Sequence, residues 1–172
     1  IKLKKILTAS AVMAVTLTGC TFGTSIDNLL APPKLSIEQE KIYTALTNAT
    51  GEMSRVYVEA ALASALTRKD AKSFWFFLNY YVNELKANML PKHYQEAVLL
   101  FYNVDKGRTV QVPDAFFEKF ISSATNRKMN DFMKLVSKHK GESEDEMAPY
   151  FKDEFGDTYF YFYFFVRNIK TN

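Results

Sequence analysis

The sequence predicts an all-α fold of antiparallel helical hairpins, a bundle or a short tetratricopeptide-like stack, behind a signal peptide and an extended tether. Three observations carry that expectation. From Ser36 onward, apolar residues recur at the three-and-four spacing of a helix in one segment after another. Gly, Pro and Asp punctuate those segments at short intervals, as connections between neighbouring helices require. Strand-like text is confined to Val110-Gln111-Val112 and an alternating Tyr/Phe run near the end, too little to build a sheet.

At 172 residues the chain has room for one domain plus a leader. Hydrophobic residues make up 48% and charged residues 24%, which excludes a disordered chain. The 15 Phe and 10 Tyr supply a sizeable core, each buried Phe contributing on the order of 1.5–3 kcal/mol. A net charge of +3, with the basic residues scattered, argues against a nucleic-acid partner. A single cysteine excludes an internal disulfide.

The leader comes first. Lys2, Lys4 and Lys5 form a positive n-region, and Ile6 to Leu17 is an apolar run of signal-peptide length, too short to span a bilayer. It ends in Leu17-Thr18-Gly19-Cys20. This pattern resembles the lipobox of bacterial lipoproteins. The resemblance implies cleavage after residue 19, lipid such as palmitate on Cys20, and anchoring on the extracytoplasmic side of a membrane, since more than one acyl chain holds stably. Residues 20–35 then read as a tether, because Pro32-Pro33 fixes an extended backbone.

Ser36-Ile37-Glu38-Gln39 is a capping box opening a first helix over 36–51, with Ile42, Leu46 and Ala49 on one face and Gly51 as its stop. Residues 25–51 resemble the region after the lipobox in small lipoproteins of clostridial type.

Residues 52–172 form the expected helical domain. Met53, Val56, Tyr57, Ala60, Ala61 and Ser64 make one helical face, whose small residues permit close helix approach. Asp70 caps the next helix, with Phe74, Phe77, Leu78, Tyr81 and Leu85 as its stripe. Pro91 opens another, carrying Tyr94, Ala97, Val98, Phe101 and Tyr102. Pro113-Asp114 starts a helix with Phe117, Phe120, Ile121 and Ala124, and Met129, Phe132, Met133 and Val136 continue the period to Lys138. Glu142 to Glu154 reads as an acidic entry followed by a short helix containing Pro149. Tyr159 to Phe165 alternates like a strand, yet with no partner strand it is expected as a buried terminal helix.

The Trp75 segment and Ala97-x-x-x-Phe101 resemble tetratricopeptide repeats at the level of architecture only. Residues 90–97 (Leu90-Pro91-Lys92-His93-Tyr94-Gln95-Glu96-Ala97) and 155–160 (Phe155-Gly156-Asp157-Thr158-Tyr159-Phe160) resemble the C-terminal helical region of a family of Bacteroides-type multi-spanning membrane proteins. That resemblance covers residues 53–168 and implies an all-helical domain outside the bilayer, with no assigned function. The two resemblances meet near Gly51, so a join of unrelated parts is a third reading of the chain. A native continuation predicts a first helix packed on the rest.

Chemistry-bearing patterns are few. His93 and Glu96, three residues apart, share a helix face and could ligate a metal. The competing reading has Glu96 complementing the start of its own helix and His93 bonding locally. Glu142, Glu144, Asp145 and Glu146 lack the alternating spacing and central Gly of a calcium loop. No phosphate loop or nucleophile motif is present, and no cofactor is implied. The sequence therefore reads as a non-catalytic helical interaction module anchored by lipid on Cys20, its partner met at the aromatic segment 159–165. The alternative is an envelope enzyme or ligand-binding lipoprotein with a site near His93.

Overall fold

The computed structural model describes residue 30, residues 35–105 and residues 110–167. Every regular element among them is a helix: α1 (Ile37–Asn48), α2 (Gly51–Thr67), α3 (Ala71–Asn83), α4 (Lys92–Asp105), α5 (Asp114–Phe120), α6 (Ser123–Lys138), α7 (Glu144–Phe155) and α8 (Tyr159–Phe165). None of these is long and apolar enough to cross a membrane. The expected leader, its lipobox and Cys20 lie outside the described residues.

The starts of the helices follow local chemistry. Ser36 and Gln39 make the expected reciprocal box, with bonds of 3.3 and 3.0 Å, and Ser143 with Glu146 repeats it at α7. Asp70 Oδ1 accepts from Ser73 N–H at 3.1 Å, opening α3 as expected. Burial works against the Asp70 carboxylate, but the Ser73 hydroxyl and amide outweigh it and hold the group below its ordinary range.

Three sequence expectations need correction. Gly51 does not stop α1, which ends at Asn48; it is instead the first residue of α2, capped by Thr50. The segment from Pro113 to Lys138 is two helices, because Ile121 turns extended and Ser122 caps α6 afresh through Thr125 N–H. As expected, Val110-Gln111-Val112 forms no strand; Val112 is buried as the chain enters α5. Pro91 precedes α4 rather than beginning it, and its carbonyl accepts from the amides of Tyr94 and Gln95.

A single apolar cluster runs from Leu30 to Phe164. α2 packs on α3, α4 on α6 and α8, and α7 on both α6 and α8. α3 is its axis: ten consecutive residues, Phe74 to Asn83, are buried. Phe74 meets Tyr94 and Phe101 of α4, and Tyr80 meets Tyr43 of α1 edge to face at 5.2 Å. α1 is therefore packed on the body, and the Ser54 hydroxyl of α2 donates to its Leu46 carbonyl at 2.7 Å.

The α2–α3 turn reverses through Lys69 in the left-handed region, φ 57°. Lys69 N–H reaches the Leu66 carbonyl and Asp70 N–H the Ala65 carbonyl, the pairing of a Schellman turn in which glycine is usual. Lys69 also meets α8, its ammonium lying 5.3 Å over the Phe162 ring.

The structure adds one element that the tether reading did not contain. Leu30 is buried in the core, and its carbonyl accepts from the side-chain amides of Asn79 (3.2 Å) and Asn83 (2.9 Å), one turn apart on α3.

Candidate functional site

His93 and Glu96 do come together on α4. His93 Nδ1 lies 2.9 Å from Glu96 Oε2, with the imidazole 59% exposed and the carboxylate only 1% exposed. The same Oε2 accepts from the backbone N–H of Tyr159 at 2.8 Å. Glu96 thus complements the start of a helix, as expected, but the helix is α8 and not its own. The adjoining turn is fixed alongside it: Thr158 Oγ1 accepts from Tyr161 N–H and donates to the Phe155 carbonyl.

Lys92 completes the cluster. Its ammonium lies 2.6 Å from Asp157 Oδ2 and 3.8 Å from Glu96 Oε1. The Lys92 hydrogen bond holds Asp157 below the usual carboxylate range, and the same bond pushes Lys92 up. Next to Glu96, Gln95 ties another helix start: its Oε1 accepts from Ser122 N–H and the Thr125 hydroxyl, while its amide donates to the Leu90 carbonyl. Two consecutive α4 residues therefore hold the starts of α6 and α8. A carboxylate this buried, turned onto a backbone amide and lying beside the Lys92 ammonium, is occupied as a structural acceptor.

The acidic entry to α7 is likewise internally paired. Glu142 meets His139, Glu146 turns back on Ser143, and Asp145 takes both contacts from Arg167. Glu142, Ser143, Asp145, Glu146 and Arg167 line an open cleft of about 550 Å³ with Phe164 and Phe165. Among the described residues no group of three or more His, Cys, Asp or Glu is placed to hold a metal ion.

The aromatic segment expected to meet a partner is largely consumed by packing. Tyr159, Phe160 and Phe164 are buried, and the rest of α8 is half-buried. Phe132 of α6 gathers Phe151, Phe155, Phe160 and Phe164 around itself at 5.0–5.7 Å. The Tyr159 hydroxyl donates to the Leu66 carbonyl at 2.9 Å, and burial raises its pKa well above the ordinary tyrosine value.

The outward surface lies instead on α2. Its core side is Ser54, Val58, Leu62, Ala65 and Leu66. On the opposite side Met53, Val56 and Tyr57 are 66%, 65% and 52% exposed, and Ala60, Ala63 and Ser64 continue the exposed stripe. Most of the face read from the sequence as packing is thus turned to solvent, with Ala61 against the core and the Tyr57 ring edge-on to Phe77 of α3. It carries no charged residue from Val56 to Ser64 at the three-and-four spacing, and Arg55 and Glu59 pair beside it.

Fold and site together define an all-helical domain with an enclosed aromatic axis, two helices started by side chains of α4, and one uncharged helix face left open. The chain belongs to a family of unknown function, DUF6057, whose match covers residues 38–166 and so includes nearly all of α1 and spans Gly51. No curated protein and no solved structure matches it.

Proposed function

We propose that this chain is a non-catalytic helical interaction module, held at the extracytoplasmic face of a membrane by lipid on Cys20, whose partner packs on the outward face of α2. The observation that carries the partner surface is the exposure of Met53, Val56 and Tyr57 on a stripe continued by Ala60, Ala63 and Ser64. Such a stripe suits a partner helix: large side chains anchor at one end while small ones let the backbones approach. The lipid anchor rests on the residues from Leu17 to Cys20. This reading is preferred to an envelope enzyme or ligand-binding lipoprotein with a site near His93 because the Glu96 carboxylate accepts from the Tyr159 amide.

The test has two arms. Membrane fractionation should find the wild type in the membrane and Cys20→Ala in the soluble fraction; a soluble wild type overturns the anchor. A photo-crosslinking residue at position 57 should give one discrete adduct in intact cells, abolished by Val56→Glu. An adduct pattern indifferent to Val56→Glu overturns the α2 surface.

A further inference from the structure

α6 divides its residues sharply between two sides. Thr125, Met129, Phe132 and Val136 are buried, while Arg127, Asp131, Lys134 and Lys138, spaced four, three and four apart, lie exposed along the opposite face. Ser123, Asn130 and Ser137 stand exposed among them. Along the helix the cations Arg127, Lys128, Lys134 and Lys138 meet a single acid, Asp131, and Lys140 follows just beyond. Lys128 is turned over the Phe155 ring at 4.7 Å and towards Glu154, and Lys134 bonds Asp131 at 3.2 Å. Glu142, just past the helix end, is engaged by His139. Among the described residues Arg127, Lys138 and Lys140 have no ion-pair partner.

The helix macrodipole favours Lys138 alone, since its influence falls off within the last turn. The face also lacks what a protein partner grips. Protein interfaces centre on apolar and aromatic anchors and are depleted in Lys, and none of the large exposed apolar side chains lies on α6. The row from Arg127 to Lys138 is about 16 Å long, at roughly 1.5 Å per residue. Cations set among small polar side chains on a straight row suit a flat anionic sheet, which offers a negative headgroup wherever each cation falls.

We propose that the outer face of α6 is an electrostatic docking surface for an anionic lipid bilayer, with Arg127, Lys134 and Lys138 as its headgroup contacts. This deepens the anchored reading above, on which it rests for access to a membrane: lipid on Cys20 brings the chain to the bilayer, and α6 sets which side of the domain meets it.

The experiment removes the anchor, so its outcome is independent of Cys20. Cys20→Ala leaves the full chain without a cysteine, and Ser137→Cys in that background takes one dye on the α6 face. Vesicles of phosphatidylcholine, with or without phosphatidylglycerol, carry a headgroup quencher. The lipid concentration at half-maximal quenching should be at least about tenfold lower with phosphatidylglycerol, given three cations at the surface, and high salt should erase the gain. Arg127→Gln, Lys134→Gln and Lys138→Gln together should remove most of it. Lys41→Gln, Lys72→Gln and Lys86→Gln, an equal loss of charge at exposed positions elsewhere, should keep it. Equal midpoints on the two vesicles, or an α6 triple variant that behaves like this control, overturns the proposal. Such a failure leaves the anchor standing if Cys20→Ala still leaves the membrane fraction in cells, and a failed anchor leaves the α6 result standing in turn.

Discussion

α3 and α8 are both dense in aromatic rings, Phe74-Trp75-Phe76-Phe77 in one and Tyr159 to Phe165 in the other, yet they are held in different ways. α3 has 13 residues and a cap from its own neighbourhood, Asp70. α8 has seven, well below the roughly 12–15 residues at which an isolated helix is even marginal. It exists because distant groups meet it: Thr158 caps it locally, but Glu96 takes the Tyr159 amide, and Leu66 takes the Tyr159 hydroxyl. α3 is therefore held by a local cap and by apolar packing along its length, whereas α8 depends on long-range polar ties as well.

The most severe way to break the comparison is Phe132→Ala. The side chain is fully buried and centres the rings of α7 and α8, so the loss should be about 3–5 kcal/mol. Urea denaturation measures it, and hydrogen exchange should show α8 opening before α3. Glu96→Ala comes next, leaving the Tyr159 amide without its carboxylate; about 3 kcal/mol is expected from losing a bond to a charged acceptor. Glu96→Gln, which keeps an oxygen, should recover part of this in the same titration.

Gly156→Ala should follow, because a Cβ there would stand 2.4 Å from the Lys152 carbonyl at the α7–α8 turn; the backbone shift should cost about 1–3 kcal/mol, read as a lowered Tm. Asp70→Ala, the matching injury to α3, should cost only about 1 kcal/mol.

The mildest probe is alkaline pH. Burial and the 2.6 Å bond to Glu84 push Tyr43 up to about 12, from about 10 in the unfolded chain. A raised folded pKa means that this stability is fully present below about pH 10 and lost as pH rises through about 12. Urea midpoints from pH 8 to 11.5 should fall at the alkaline end. Tyr43→Phe should flatten part of that fall, and the buried Tyr159 of α8 should account for more.

How far the text was readable follows from the same division. Helix type, the Ser36 and Asp70 starts, and the helical state of residues 159–165 all come from spacing and local chemistry. The role of Glu96 was hidden because its acceptor duty is owed to an amide 63 residues away, and no local pattern encodes that distance. α2 shows a different limit. Two stripes, one led by Met53 and one by Val58, both fit the helical period, and only the packing of α3 decides which is inside. Leu30 was unreadable for a third reason: the short run Leu29-Leu30-Ala31 ahead of two prolines is too brief to set up a period.

The 63-residue separation between Glu96 and Tyr159 also has a temporal side. A chain delivered N-terminus first, at roughly 5–20 residues per second, presents α4 some 3–12 seconds before the amide that its carboxylate will cap. Through that interval the nascent protein carries an uncapped anion and an open aromatic seam. α8 acts as the closing stitch, so a chain stopped before Tyr159 should be one that chaperones and proteases treat as unfinished.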